Sequence, residues 1–364
     1  MRSFDSSSDI TATKKMSISG YSTKTYLKGL SLEQLQEYVQ SLGMQPYRAK
    51  QLFHWMYRKN VSSFSAMTTL KKSVRESLEP SAEISLLKLS QKLSSSYEPT
   101  TNYLFELMDG KQVETVFMEV DDRKTICLSS QVGCALKCGF CATGLMGFIR
   151  NLSAGEIVDQ VLMAERNMGQ EATNIVMMGM GEPFLNYDSV IQAAYLISDP
   201  EGIAISKRKI TISTSGIIPA ILRFANEEHR FKLAISLNAT TENMRRKLMP
   251  LTKKYSLDEL LKAVKYYTDR SKSRVTFEYV LLENVNDSMD DALRLRKLLS
   301  NIPCKINLIP YNATELGYSP SSEDKIQHFI SALASFPVPV TVRRSKGRDI
   351  FAACGQLYIE KFDG

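Results

Sequence analysis

The sequence contains no long hydrophobic run, which argues against a membrane-spanning helix. No apolar stretch approaches the ~20 residues needed to cross a bilayer. The first residues also lack the apolar segment of a secretory signal peptide, so we expect a cytoplasmic protein without membrane partners. Thiols are kept reduced in that compartment, and the six cysteines therefore suggest metal or redox chemistry rather than structural disulfides.

Basic charge is concentrated in the first part of the 364-residue chain, which is long enough for one large and one small domain. Residues 1–100 hold 14 Lys and Arg against 8 Asp and Glu, a balance of +6. The other 264 residues hold 32 against 31, a balance of +1. A basic appendage on a near-neutral body is typical of a module that binds a polyanion, although a solvated basic surface would give the same counts.

The first hundred residues divide into a tail and a helical segment. Residues 1–24 are rich in Ser and Thr, and we predict that they are disordered. Residues 25–95 are predicted to form a basic helical RNA-binding domain. One helix starts at a capping box, Ser31 to Gln34, a second starts at Pro46, and a third carries Leu70, Val74 and Leu78.

Residues 96–364 read as a β-hairpin followed by an α/β domain. Two β-rich runs flank Asp109-Gly110, which is a strong hairpin signal. Strand-like and helical runs then alternate, and capping boxes begin at Ser153 and Ser256. This alternation predicts a mostly parallel sheet with helices outside, as a partial (βα)6 barrel or a flat doubly wound sheet, and we favour the barrel. The predicted strands are 125–128, 175–178, 210–213, 233–237, 275–281, 306–309 and 338–342.

Three cysteines lie in one short loop with the spacing Cys134-x-x-x-Cys138-x-x-Cys141. Three thiolates are one fewer than a closed Cys₄ site requires, so a four-iron cluster bound here would keep one iron open for a ligand. The alternative is a structural zinc site with Cys127 as the fourth ligand. Cys304 is a common type of buried free cysteine, and we assign it no role.

Polar or glycine-rich motifs follow several predicted strands. They are Gly179-Met180-Gly181-Glu182-Pro183, Ser213-Thr214-Ser215-Gly216, Ser236-Leu237-Asn238 and Pro310-Tyr311-Asn312. None is a GxGxxG dinucleotide fingerprint. Each places polar groups at the carboxyl end of a strand, which is where α/β folds bind ligands. Together they indicate a polar ligand lying across the top of the barrel, above the three thiolates.

These motifs resemble those of radical S-adenosylmethionine (SAM) enzymes. Three flanking segments narrow the resemblance to adenine-C2 RNA methyltransferases of the RlmN type, related to the Cfr type that methylates adenine C8. They are Ser129–Leu136, Arg150–Glu156 and Ala352–Leu357, the last with the letters Ala-Ala-Cys-Gly-Gln-Leu. The resemblance covers residues 30–360.

The resemblance implies a role for each matching residue. Cys134, Cys138 and Cys141 would hold a [4Fe–4S] cluster. The residues that would line the SAM site are Gly181, Glu182, Ser213, Ser236, Leu237, Asn238 and Asn312. Cys354 would carry the methyl group, Cys127 would resolve the product, and Glu114 would accept a proton. Asn238 departs from the pattern, because relatives often have His there.

The implied reaction uses two SAM molecules per turnover. Cys354 is methylated by one, and a radical derived from the other activates that methyl group for addition to adenine C2. The implied substrate is the peptidyl transferase region of 23S rRNA, with transfer RNA as a second candidate. The resemblance further implies a low-potential electron donor such as flavodoxin, and we expect a monomer. Two alternatives stay open: a Cfr-type C8 methyltransferase and a non-catalytic, zinc-stapled RNA-binding protein.

Overall fold

The computed structural model describes residues 24–334, 337–344 and 346–358. The predicted disordered tail, 1–24, lies outside these residues except for Lys24. Within the described ranges, no helix combines the length and the apolar character needed to cross a bilayer.

The secondary structure follows the predicted order. The helices are α1 (Leu32–Ser41), α2 (Tyr47–Phe53), α3 (Lys72–Leu78), α4 (Ala154–Met168), α5 (Tyr187–Ser198), α6 (Ile218–Asn226), α7 (Glu242–Leu248), α8 (Leu257–Ser271), α9 (Met289–Leu299) and α10 (Glu323–Leu333). The strands are β1 (Thr25–Tyr26), β2 (Ala82–Glu83), β3 (Leu87–Ser94), β4 (Thr100–Leu107), β5 (Gln112–Val120), β6 (Arg123–Cys127), β7 (Gln131–Gly133), β8 (Phe148–Asn151), β9 (Asn174–Met177), β10 (Ile210–Thr214), β11 (Lys232–Ser236), β12 (Val275–Leu281), β13 (Cys304–Pro310) and β14 (Val340–Val342).

Most strands belong to one ten-stranded sheet in the order β14-β13-β12-β11-β10-β9-β6-β5-β4-β3. Strands β6 and β9 to β14 are parallel, and β3 to β6 form an antiparallel meander that contains the predicted hairpin, β4–β5. The parallel strands alternate with helices, as expected from βα units. Cys127, at the end of β6, interacts electrostatically with Arg343, just past β14 at the far edge of the sheet. The parallel part is therefore curved, and the predicted partial barrel is confirmed.

Local sequence signals set the helix starts. Ser31, Ser153 and Ser256 are N-caps. In each case the serine side chain accepts a hydrogen bond from the backbone N–H three residues later, and the Gln or Glu side chain at that position accepts one from the backbone N–H of the serine. These capping boxes satisfy amides that a helix start leaves without partners. The third predicted helix is shorter than expected, because α3 begins after Leu70, which is buried.

The segment 25–95 is helical only in part. Strands β1 and β2 pair with each other, and β3 pairs with β4 in the main sheet. The proposed boundary at residue 95 therefore falls in the turn between β3 and β4. Several cationic side chains of this segment are exposed to solvent: Lys50, Arg58, Lys59, Lys71 and Lys72.

A buried ion pair connects this segment to the barrel helix α4. The Lys28 ammonium donates to the Asp159 carboxylate, and both side chains are almost fully excluded from solvent. Close backbone packing supports the contact, since a Cβ added to Gly29 would lie 2.5 Å from the backbone nitrogen of Gly155. The N-terminal segment is therefore packed tightly against the barrel.

Candidate functional site

A cavity of about 160 Å³ lies at the carboxyl ends of the parallel strands. Ten of the thirteen predicted site residues line it: Cys134, Cys138, Cys141, Gly181, Glu182, Ser213, Ser236, Asn238, Asn312 and Cys354. Leu237, Cys127 and Glu114 are buried beside it or below it. The fold thus brings together motifs that are spread over more than two hundred residues.

The three-cysteine loop is held by a short β-ribbon. Strands β7 and β8 pair antiparallel, and the loop connects them. The backbone N–H of Cys134 donates to the carbonyl of Gly147 at 2.8 Å, which closes the base of the loop. Gly133 has φ of 72° there, and an added Cβ would lie 1.8 Å from the Gly147 oxygen, so only glycine fits.

The chemistry of this donor set fits a metal cluster. Burial raises the pKa of Cys134 to about 12 and raises the pKa of Cys138 well above its ordinary value, and the neighbouring thiols raise both further. Burial likewise raises the pKa of Cys141. These three half-buried thiols repel one another once they ionise, so their thiolate forms need a bound cation, which an iron–sulfur cluster supplies.

The arrangement does not match a single-ion site. Among the described residues, no three His, Cys, Asp or Glu side chains converge as they would around one metal ion. A tetrahedral zinc needs such convergence, whereas a four-iron cluster can bind each cysteine through a different iron. Cys127 interacts electrostatically with Cys354, Arg343 and Glu114. The zinc alternative with Cys127 as fourth ligand is therefore not favoured.

Glu182 is a buried carboxylate at the edge of the cavity. Its oxygens accept from the backbone N–H of Ser215 at 2.7 Å and of Phe184 at 3.0 Å. Burial raises its pKa, and these hydrogen bonds oppose that rise. Gly181 must precede it without a side chain, because an added Cβ would lie 2.6 Å from the Cβ of Gln131 and φ is 98°. The pair presents an acceptor suited to the ammonium group of a ligand.

The ends of β10 and β11 carry the other predicted SAM contacts. Ser213 and Ser236 line the cavity, whereas the Leu237 side chain packs in the hydrophobic core. The Asn238 side-chain oxygen accepts from the backbone N–H of Val280 at 2.9 Å. This amide therefore ties the end of β11 to β12.

The segment with Cys354 is hydrogen-bonded to the three-cysteine loop. The backbone N–H of Ala142 donates to the carbonyl of Gly355 at 2.8 Å, and the Thr143 hydroxyl donates to the carbonyl of Leu357 at 2.8 Å. The Asn312 amide donates to the carbonyl of Cys354 at 2.9 Å. These bonds place the Cys354 thiol in the wall of the cavity beside the loop.

Cys127 and Glu114 lie behind this wall. Burial raises the pKa of the Cys127 thiol to about 12, Cys354 raises it further and Arg343 opposes the rise. The Glu114 carboxylate is completely buried on β5 and accepts from the Asn102 amide at 2.5 Å. Cys127 is close enough to both Cys354 and Glu114 to interact with each electrostatically. Buried Cys127 is therefore a neighbour both of the half-buried Cys354 and of the buried Glu114.

Sequence reasoning missed three charged residues of the site. Arg343 is half-buried, lines the cavity, and has a raised pKa mainly because of Cys354. Glu278 lines the cavity and accepts from the Asn307 amide at 2.7 Å. Arg245 is buried beneath the strand ends, and burial lowers its pKa to about 10. Glu278 could have been found from the sequence, because it is a charged residue within an otherwise apolar strand.

Comparisons with known proteins agree with this geometry. The model of the radical SAM superfamily matches residues 128–296, and the model of the ribosomal RNA large subunit methyltransferase N-terminal domain matches residues 25–84. The "Dual-specificity RNA methyltransferase RlmN" of Geobacter sulfurreducens is 45% identical over 332 residues, which is 91% of both chains. A "Probable dual-specificity RNA methyltransferase RlmN" of Thermoanaerobacter sp. strain X514 is 43% identical over 332 residues, 91% of this chain and 97% of the relative.

The chain belongs to the RlmN family. The resemblance inferred from the motifs is thereby confirmed. A solved structure of a radical SAM methyltransferase from Sphaerobacter thermophilus superimposes with a TM-score of 0.88 at 44% identity, covering 91% of this chain and 98% of that one. Membership in the radical SAM superfamily implies a [4Fe–4S] cluster and SAM, and Cys134, Cys138 and Cys141 are the residues that would hold the cluster.

Proposed function

We propose that this RlmN-family chain is a radical SAM RNA methyltransferase that methylates C2 of adenosine in 23S rRNA and in transfer RNA. The observation that carries the proposal is the position of Cys354 in the cavity wall, beside the three-cysteine loop and in front of Cys127 and Glu114. The printed names of the relatives, dual-specificity RNA methyltransferases, support an RNA substrate.

The chemistry of adenine C2 explains why a cysteine is needed. This carbon is electron-poor and is a weak nucleophile toward SAM, whereas a thiolate is a good one. Cys354 therefore accepts the methyl group and presents it to the base. When bound, the cluster and two SAM molecules per turnover supply the methyl group and the radical that activates it. The Asn312 amide holds the backbone of Cys354 at the position where this residue lines the cavity.

Glu114 and Cys127 complete the reaction in this proposal. Addition of the methyl carbon to C2 makes the C2 hydrogen acidic, and the Glu114 carboxylate accepts it as a general base. The Cys127 thiolate then attacks the sulfur of Cys354 and breaks its bond to the methylene carbon, which forms the Cys127–Cys354 disulfide. The released carbon takes up one proton to become the methyl group of the base, and the adduct gives back the single electron that was consumed to start the reaction. Burial keeps Cys127 protonated until that step, because its pKa is about 12. Arg343 is a cation close to both cysteines, and it favours the ionised form of Cys127.

The test compares three cysteine variants. Cys127→Ala should accumulate a covalent protein–RNA adduct through Cys354, because the methyl group still adds to the base but cannot be released. Cys354→Ala should transfer no methyl group to protein or RNA. Cys304→Ala is the matched control, since this buried cysteine at the start of β13 is remote from the proposed chemistry. Normal turnover by Cys127→Ala would contradict the resolving role of Cys127. The same holds if both Cys127→Ala and Cys354→Ala are inactive and no adduct forms.

Two further measurements separate the alternatives. Mass spectrometry of nucleosides from modified RNA distinguishes 2-methyladenosine from the C8 product of a Cfr-type enzyme. Anaerobic purification should yield about four irons per chain. A colourless protein with one tightly held zinc would instead support the zinc-stapled RNA-binding protein.

We also propose that the basic N-terminal segment binds the RNA backbone. Its exposed cations include Arg58, Lys59 and Lys71. Replacing these three by Gln should weaken RNA binding and reduce the salt-dependence slope by about one for each phosphate that the variant no longer neutralises. Lys262→Gln is the control, because this exposed lysine of α8 is paired with Asp258. Equal slopes for the wild type and the triple variant would contradict the proposal.

A further inference from the structure

Arg245 is a buried arginine that donates only to neutral oxygens. Its side chain is among the largest in the described residues that are excluded from solvent. Nη2 donates to the carbonyls of Ser215 at 2.6 Å and Ser236 at 3.2 Å, and Nε donates to the carbonyl of Leu237 at 3.2 Å. Nη1 donates to the hydroxyl of Thr252 at 2.9 Å. Hydrogen bonding is satisfied, but none of these acceptors carries a charge.

A buried charge without a counter-charge is costly. A guanidinium cannot be deprotonated in a protein, and burying an unpaired ion costs several kcal/mol. Within the described part of the chain, two acidic groups are close enough to interact electrostatically with Arg245, namely Cys138 and Glu242. The Glu242 carboxylate is already engaged by Arg246 and by the backbone N–H of Leu257. The remaining neighbour is Cys138, which becomes anionic when the cluster binds. The helix that carries Arg245 contacts the loop of this cysteine directly, because the backbone N–H of Gly139 donates to the carbonyl of Leu248 at 2.9 Å.

We propose that Arg245 is the counter-charge of the iron–sulfur cluster and that it raises the reduction potential of the cluster. The inference rests on the proposed cluster ligands and adds a residue outside the three-cysteine loop. Three thiolates give an oxidised four-iron cluster a net negative charge, and reduction adds another. A fixed cation in a low-dielectric site stabilises the more negative, reduced state. Arg245 therefore sets how low the reduction potential of an electron donor must be for that donor to reduce the cluster.

The same guanidinium also holds the SAM-binding strands. The carbonyls that it binds belong to the ends of β10 and β11, next to the predicted SAM contacts Ser236 and Leu237. The Arg245 side chain thus has two effects in this proposal: its charge acts on the cluster, and its hydrogen bonds hold the ends of two strands. The experiment must therefore distinguish the effect of the Arg245 charge from the effect of its hydrogen bonds.

The experiment is a redox titration of the reconstituted holoenzyme, followed by the electron paramagnetic resonance signal of the reduced cluster. Arg245→Gln removes the charge and keeps an amide donor at the position of Nε, which binds the Leu237 carbonyl, whereas Arg245→Lys keeps the charge. At a fixed potential, Arg245→Gln should lower the ratio of reduced to oxidised cluster at least about tenfold, which is about 59 mV for one electron. Arg245→Lys should stay near the wild type.

Arg246→Met is the matched control, because the neighbouring Arg246 is exposed and paired with Glu242. It should leave the potential unchanged. Assembly of the cluster in Arg245→Lys but not in Arg245→Gln would also support the inference. An unchanged potential in Arg245→Gln, or equal losses in the Gln and Lys variants, would overturn it. A wild-type protein without any iron–sulfur signal would instead overturn the proposed function.

Discussion

Replacing Lys28 by Met should destabilise the folded protein by about 3–5 kcal/mol, because the substitution leaves the Asp159 carboxylate buried without its cation. Lys28 and Asp159 have side chains that are only 1% and 0% exposed, so water cannot replace the missing partner. The second oxygen of Asp159 still accepts from the backbone N–H groups of Leu86 at 2.9 Å and Leu87 at 3.2 Å. Met keeps the apolar part of the lysine side chain, so the loss measures the charge rather than the packing.

Urea denaturation of the apoprotein measures this loss. The single tryptophan, Trp55, lies in the N-terminal segment, so its fluorescence reports unfolding on the Lys28 side of the contact. With a slope of about 3 kcal/mol per molar urea, the midpoint should fall by about 1 M or more. Asp159→Asn added to Lys28→Met should recover much of the stability, because the neutral amide oxygen still accepts from the two backbone groups. Lys72→Met, which breaks an exposed pair, should cost less than about 1 kcal/mol. A Lys28→Met midpoint equal to that of Lys72→Met would refute the reasoning.

Three further predictions concern single residues. Burial raises the pKa of Glu165 from 4.5 to about 7, so the folded state binds more protons than the unfolded state in that window. Wild-type stability should therefore fall by about 3 kcal/mol relative to Glu165→Gln as the pH rises from 4.5 to 7, and parallel curves would contradict this. Gly181→Ala should weaken SAM binding in equilibrium dialysis and cost at least about 1–2 kcal/mol of stability, because its Cβ would clash with Gln131; unchanged affinity would show that the loop can shift. Asn312→Ala should speed alkylation of the Cys354 thiol by iodoacetamide, measured by peptide mass spectrometry, since the hydrogen bond that holds its backbone is removed; an unaltered rate would mean that the other contacts suffice.

Features encoded by a few adjacent residues could be predicted from the sequence. The capping boxes at Ser31, Ser153 and Ser256 each depend on two side chains within one turn, and all three are formed. The hairpin around Asp109-Gly110 has the same local origin. The motifs at the strand ends were also located correctly, because a parallel sheet collects the carboxyl ends of its strands at one edge.

Features that depend on contacts between distant residues could not. Arg343 and Arg344 are adjacent and chemically identical, yet Arg343 lines the cavity while Arg344 is exposed and paired with Glu323. Adjacent residues of an extended segment point to opposite sides of the sheet, and the sequence alone does not show which side faces the cavity. The β7–β8 ribbon gave no turn signal either, since its two strands are joined by the long three-cysteine loop. Arg245 lies on the short helix α7, where nothing in the sequence indicates that it would reach the carbonyls of two strands.

The hydrogen bonds between the three-cysteine loop and the Cys354 segment have a consequence for how the protein matures. Cys354 is synthesised 213 positions after Cys141 (354 − 141), which is about 10–40 s of translation at ~5–20 residues per second. Until the carbonyls of Gly355 and Leu357 accept hydrogen bonds from Ala142 and Thr143, one side of the three-cysteine loop is not covered by the Cys354 segment. The nascent chain thus leaves an open entrance through which iron and sulfide can be delivered. The residues around Gly355 and Leu357 then dock and complete this side of the site.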